Sequence, residues 1–303
     1  MIDNNLLVAL CLTSRLKKTG DTKSFGAASW HRIIRHLNLL SVENPSYLLN
    51  KSERSLIIDG FDKKTADRII RLLQNADDII KIIDRLKSNG INVIGLDDDN
   101  YPERIIKKLK DNAPPVLFYA GNPELMNTTG ISVVGSRKPT VNAQNFARKM
   151  GNACAYHNYT LISGGATGCD CIAEYNCTES GGNSLIFLAM PLARQMKLPR
   201  MEKAIANNRI CLVSDHNPSD IFNTGYAINR NRYIYACGNC AVVCDSAENK
   251  GGSFNGAMDC INNNYGLVTA FDDENSKGNQ LLINNGAISV KTVDDVLHYA
   301  TKF

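Results

Sequence analysis

Residues Ile131 to Thr140 read ISVVGSRKPT, an apolar strand that runs straight into Gly-Ser-Arg-Lys. Gly135 can take backbone angles closed to other residues, and Ser136 can donate from both its amide and its hydroxyl. Arg137 and Lys138 add positive charge beside the helix start that follows. The turn is therefore expected to expose backbone amides to an anion such as a phosphate.

Outward from this turn, strand candidates alternate with helix candidates: Ile131 to Val134, Thr160 to Ser163, Ser184 to Leu188, Ile210 to Val213, Ala241 to Cys244 and Leu267 to Ala270. Regular βα alternation predicts an α/β fold, a Rossmann-like parallel sheet with helices on both faces. Ligands of such sheets lie beyond the carboxyl ends of the strands, where strand order reverses.

The second strand ends in another glycine-rich turn, Ser163-Gly164-Gly165-Ala166-Thr167-Gly168-Cys169-Asp170, and the fifth is followed by Lys250-Gly251-Gly252-Ser253. Together with the first turn they put three amide cradles and helix N-termini on one rim. Asn229-Arg230-Asn231-Arg232-Tyr233 adds two arginines suited to bidentate grip on phosphate oxygens. The third strand end, Met190 to Arg200, carries Arg194, Lys197 and Arg200 and reads either as a solvated loop or as part of the same rim. The expected DNA- or phosphate-binding set is Gly135, Ser136, Arg137, Lys138, Ser163, Gly164, Gly165, Thr167, Arg194, Lys197, Arg230, Asn231, Arg232, Lys250, Gly252 and Ser253.

Signatures of catalysis are missing. The chain has no GxSxG elbow, no HExxH and no histidine beside a candidate nucleophile, and the glycine spacing after Val134 is not that of a dinucleotide fingerprint. Cys237-Gly238-Asn239-Cys240 is a CxxC, yet Cys169, Cys171 and Cys177 form no second pair at zinc spacing, and the motif precedes a late strand where a thioredoxin-like site would follow the first. No catalytic residue, metal or cofactor is expected.

From Met1 to about Ala120, apolar residues fall largely at helical spacing, as in Trp30, Ile33, Ile34 and Leu37, which predicts mostly short helices. Leu56-Ile57-Ile58-Asp59-Gly60-Phe61, followed by Ala66, Ile69 and Ile70, is similar to a helix-hairpin-helix or SAM-like unit. Its glycine turn serves either packing or a nucleic-acid phosphate. The expected organisation is a small helical domain over 1–90, a connecting segment over 91–125 with short strands at Ile91 to Leu96 and Val116 to Tyr119, and the Rossmann-like domain over 126–303. The 303-residue chain has a formal net charge of +4, which permits a polyanionic partner without requiring one. Leu6 to Leu12 follows Asp3 and is too short to span a bilayer, so it reads as a packed helix rather than a signal peptide or membrane anchor. Ten cysteines without framework spacing point to a reducing cytoplasm.

With these residues in order, the chain resembles the DNA processing protein A family, DprA or Smf, whose Rossmann-like domain is related to the nucleotide-handling LOG proteins. The resemblance rests on Val133 to Arg137 with Lys138-Pro139-Thr140, Ser163 to Ala166 with Gly168 and Asp170, Arg230-Asn231-Arg232, Gly252-Ser253, and Gly278 to Ile283 with Gly286-Ala287. Asp99-Asn100-Tyr101-Pro102, Pro114 to Phe118 and Gly121-Asn122 look like the segment that enters this domain. Three departures mark a divergent member. The third loop lacks the family's glycine-and-Tyr-Pro pattern, leaving Arg194 or Lys197 as its basic residue; Asp245 stands where glutamate is usual; and Thr269-Ala270-Phe271-Asp272 lacks Pro-Gly. No match to the winged-helix extension of some members is found before Phe303.

The resemblance implies a non-enzymatic homodimer that binds single-stranded DNA and delivers it to the RecA recombinase in natural transformation. Amide cradles and arginines along a sheet rim agree on the kind of ligand, since they track a backbone without reading bases. The alternative is a nucleotide sensor, or a LOG-like nucleotide N-glycosidase using Asp245 or Glu248. Against it, the LOG signature Pro-Gly-Gly-x-Gly-Thr-x-x-Glu is absent.

Overall fold

The apolar spacing of the first ninety residues folds into helices. In the computed structural model, which describes residues 2–302, these are α1 (Asn4–Thr13), α2 (Ala27–Leu39), α3 (Glu53–Ile58), α4 (Lys63–Leu73) and α5 (Ala76–Ser88), followed by strand β1 (Asn92–Gly95). The Asp3 carboxylate caps α1 by accepting from the Asn5 and Leu6 amides, and Leu7 to Leu12 are all buried, as a packed helix requires. Among the described residues no helix is long and apolar enough to cross a membrane. The predicted glycine turn lies between α3 and α4. There the Phe61 amide donates to the Leu56 carbonyl (3.0 Å), and the His36 ring packs edge-on against Phe61, with centroids 4.3 Å apart. His36 thereby covers the turn as a packing element.

The chain divides into two units: a smaller one running to Tyr101 with Lys110–Phe118 and Asp215–Asn217, and a larger one of Pro102–Leu109, Tyr119–Ser214 and everything from Pro218 on. Pro102–Leu109, expected in the connecting segment, instead carries α6 (Glu103–Leu109) of the larger unit. Two donor side chains hold it there: Arg104 Nη1 donates to the Cys237 carbonyl (2.9 Å) and Lys108 Nζ to that of Gly238 (3.1 Å). Strand β2 (Val116–Gly121) leaves the smaller unit and ends in the larger.

The larger unit then runs β3 (Gly130–Val134), α7 (Val141–Tyr156), β4 (Thr160–Ser163), α8 (Cys169–Glu179), β5 (Ser184–Phe187), α9 (Leu192–Gln195), α10 (Pro199–Ala206) and β6 (Ile210–Ser214). It continues with α11 (Thr224–Cys237), β7 (Cys240–Val243), α12 (Gly252–Asn263), β8 (Val268–Phe271), α13 (Lys277–Asn284), β9 (Ile288–Val290) and α14 (Val293–Ala300). The last strand, three residues long, is too short to show a pattern in the sequence.

Strands β3 to β9 lie in the order β6-β5-β4-β3-β7-β8-β9, every neighbouring pair parallel, with Ile131 opposite both Leu161 and Cys240. All residues of β3 to β7 are buried, as two covered faces demand. On one face Phe146, Met150 and Cys154 of α7, Cys177 of α8 and Val296 of α14 pack with Val133 and Leu161. On the other, Ser132 Oγ donates to the Ile234 carbonyl of α11 (2.6 Å), and the Phe187 and Tyr233 rings meet at 5.9 Å. The chain winds outward from β3 to β6, then returns to place β7 on the opposite side of β3. Strand order reverses between β3 and β7, which is where a ligand site is expected.

Candidate functional site

At that reversal the turns after β3, β4 and β7 and the first half of α11 enclose a cleft of about 420 Å³. Gly135, Ser136, Arg137, Arg230, Asn231, Lys250, Gly252 and Ser253 all line it, so half of the expected set converges although its members come from three separate stretches of chain. The N-terminus of α12 (Gly252–Asn263) opens onto the same cleft through Gly252, Ser253 and Phe254.

The first two cradles are not the fully open arrays of amides expected of them. Gly135 N–H donates to Asp170 Oδ1 (3.3 Å), Gly165 N–H to Glu174 Oε1 (2.8 Å), Cys169 N–H to the Ser136 carbonyl (3.2 Å) and Lys138 N–H to Ser136 Oγ (3.1 Å). Ser163, fully buried, spends its hydroxyl on the Val133 carbonyl (2.7 Å), and Ser253 Oγ donates to the carbonyl of Gly135 (2.7 Å). Asn231 Nδ2 donates to the Gly252 carbonyl (2.9 Å). The turns brace one another because their polar groups lie too deep to go unpaired. Gly168 is required here: its φ is +89°, and a Cβ would lie 2.2 Å from the Ser136 carbonyl oxygen.

Arg230 also departs from expectation. It is only 8% exposed, its Nη1 lies 3.8 Å from Asp170 Oδ2, and its Nε has no hydrogen-bond partner. Its guanidinium covers Gly164 so closely that a Cβ there would come within 1.8 Å of Nη1, so any side chain at this position would have to displace the guanidinium, which also hides Gly164 from a ligand. Arg230 is thus a buried brace. Arg232 points elsewhere, since two residues along a helix turn a side chain by about 200°. Its Nε donates to Asp259 Oδ2 of α12 (2.9 Å), an oxygen that also accepts from Tyr265 Oη (2.8 Å). Arg194 and Lys197 are exposed at α9 and beyond it, outside the lining of the cleft, as is the exposed Thr167. From the third loop it is Arg200, at the start of α10, that turns inward, with Nη2 3.8 Å from Glu174 Oε2.

Arg137 and Lys250 remain as exposed cations in the lining of the cleft, Lys138 is exposed next to Arg137 but outside that lining, and among the described residues none of the three has a carboxylate within ion-pair distance. The Arg137 guanidinium lies 5.8 Å from the ring centroid of Phe222, which is 41% exposed just before the Asn223 cap of α11. Sequence reasoning missed Phe222. Its signal was an apolar pair, Ile221-Phe222, stranded among turn formers. Asp245, a candidate acid for nucleotide cleavage, is buried and accepts from Ser276 Oγ (2.6 Å), whereas Glu248 is exposed. All ten cysteines are free thiols, and burial pushes Cys237 and Cys240 of the CxxC up to about 12.

Beneath the first two turns lie two buried carboxylates. Burial pushes the Asp170 carboxyl up, opposed by Arg230; burial and the neighbouring Asp170 push Glu174 up to about 7, opposed by Arg200. An unfolded glutamate titrates near 4.5, so between that value and 7 the folded protein holds a proton that the unfolded chain has released. Raising the pH through this window therefore costs about 3 kcal/mol of stability. Glu174→Gln keeps an oxygen for Gly165 and removes the titration, so the variant should gain on the wild type by roughly that amount between pH 5 and pH 8 in chemical denaturation. Parallel pH dependences in the two proteins would disprove the assignment.

Comparison with known proteins agrees with this architecture. Residues 92–301 match the family described as DNA recombination-mediator protein A. Protein Smf of Synechocystis is 23% identical over 283 residues, covering 91% of this chain and 69% of the relative. The crystal structure of DNA processing protein A from Streptococcus pneumoniae superposes with a TM-score of 0.73 at 22% identity, covering 98% of both chains. DNA processing protein A from Helicobacter pylori, for which a single-stranded DNA binding mode is described, gives 0.57 at 19% identity over 70% of this chain and 96% of that one.

Proposed function

Because the chain belongs to the DNA recombination-mediator protein A family, we propose that it binds single-stranded DNA across the cleft between β3 and β7 and hands the strand to the RecA recombinase in DNA-mediated transformation. The observation that carries this reading is a pair of cations without a carboxylate partner, Arg137 and Lys250, in the lining of a cleft, with Lys138 exposed next to the first and an exposed aromatic beside it. Cations at this spacing hold phosphates without reading bases, and an aromatic face stacks any base. The braced turns set the positions of these groups, and Gly135, Ser136, Asn231, Gly252 and Ser253 form the floor on which the strand rests.

The protein acts in the cytoplasm as a homodimer and as a binder rather than an enzyme. Nucleotide cleavage is the weaker reading, because Asp245 is tied to Ser276 and lies outside the lining of the cleft, and Asp170, the acid within that lining, is held by Gly135 and Arg230. Fluorescence anisotropy with a labelled oligo(dT) over a salt series tests binding, and RecA filament formation on DNA precoated with single-stranded-DNA-binding protein tests delivery. Strong salt-dependent binding with preference for single strands over duplex is expected; binding indifferent to salt would overturn the reading. Phe222→Ala should weaken binding by about 1–3 kcal/mol, the worth of one stacked base, without changing the salt slope. An affinity equal to wild type would remove Phe222 from the interface.

A further inference from the structure

Away from the cleft, the groove between α8 and α10 has a volume of about 690 Å³, in the range of a small-ligand site. Glu174 lines it, 2% exposed, with Oε1 held by the Gly165 amide (2.8 Å) and Oε2 without a hydrogen bond, faced by Arg200 Nη2 only at ion-pair distance (3.8 Å). A buried acceptor of this kind is costly unless something donates to it. Ile186 supplies an apolar wall, and Tyr175, 53% exposed, supplies an aromatic face. Arg200, Lys203 and Arg209 bring three cationic side chains to the lining. An acceptor among apolar walls, an aromatic face and a cationic border match one kind of molecule: a flat ring bearing N–H donors, joined to an anion.

We propose that this groove is a second ligand site that takes a free mononucleotide, its base donating an N–H to Glu174 Oε2 beside Arg200 and its phosphate meeting Lys203 and Arg209. The site does not depend on DNA binding in the cleft. Glu174 links the two places, since its other oxygen holds the Gly165 amide in the turn after β4.

The test is isothermal titration of the full-length protein with dGMP, whose base carries donors, at pH 8, with inorganic phosphate and deoxyguanosine as half-ligands. Saturable binding of dGMP, tighter than either half, is expected. In Glu174→Gln the Gly165 amide retains the side-chain oxygen, so the amide NH₂ faces the groove and opposes the base donor; at least a tenfold loss is expected, with thermal melts confirming the fold. Lys203→Ala combined with Arg209→Ala should reduce dGMP affinity toward that of deoxyguanosine. Arg137→Ala with Lys250→Ala, which strips the cleft, should leave dGMP binding unchanged while weakening oligo(dT). No binding of dGMP, equal binding by Glu174→Gln, or loss of dGMP binding on stripping the cleft would each overturn the proposal, the last by returning the nucleotide to the DNA site.

Discussion

Arg230→Ala is expected to destabilise the protein by about 3–5 kcal/mol, the cost of leaving a buried charge without its partner. Asp170 is 2% exposed and lies 3.8 Å from the guanidinium, and its other oxygen anchors the Gly135 amide. With the arginine gone, Asp170 must either take up a proton or draw water into the sheet edge, and both loosen the turn after β3. Truncation also empties the volume over Gly164, where the guanidinium now packs. The measurement is urea denaturation of the single variants and of Arg230→Ala with Asp170→Asn. The double variant should recover part of the loss, because the amide needs no counter-charge. A loss below about 1 kcal/mol in Arg230→Ala, within the range of an exposed ion pair, would show that Arg230 is not a brace. Since burial lowers the readiness of Arg230 to stay charged as well, its pair with Asp170 contributes less than its Coulomb attraction alone would give.

The second large effect concerns binding. Replacing Arg137, Lys138 and Lys250 together with alanine should lower affinity for oligo(dT) at least roughly tenfold at low salt and make the plot of log affinity against log salt shallower by about 2, at roughly 0.7 per phosphate contact on a single strand. Between 50 and 200 mM salt the wild type should therefore lose about 20-fold more affinity than the variant. All three side chains are exposed, so folding should change by no more than about 0.5 kcal/mol. An unchanged slope would move the DNA path off this cleft. Arg232→Ala is the informative contrast, because that guanidinium is engaged with Asp259 on another face of α11.

Much of this molecule was legible before any coordinates. Six strand candidates from Ile131 to Ala270 reappear as β3 to β8, because parallel strands buried on both faces write themselves as unbroken apolar runs. The three glycine-containing turns were found for a similar reason: a turn's demand for glycine is local. Strand β9 was missed for its length; helix α6 falls in the stretch expected to be helical, but its place in the larger unit was not legible, because contacts from Arg104 and Lys108 to distant carbonyls set it.

The site divides along the same line. Sequence alone determined the sheet, the turns at its rim and the family, since each is written in residues that are neighbours in the chain. Only the tertiary structure decided which arginine is free. Arg137, Arg230 and Arg232 are alike as letters, yet Arg230 meets Asp170 from α8, Arg232 meets Asp259 from α12, and Arg137 meets neither. What a charge can do depends on the carboxylates and the solvent around it, and those are supplied by segments 27 to 60 residues away. The Gly-Ser-Arg-Lys turn keeps its cations for a ligand because the nearby carboxylate Asp170 is already engaged by the Gly135 amide and by Arg230.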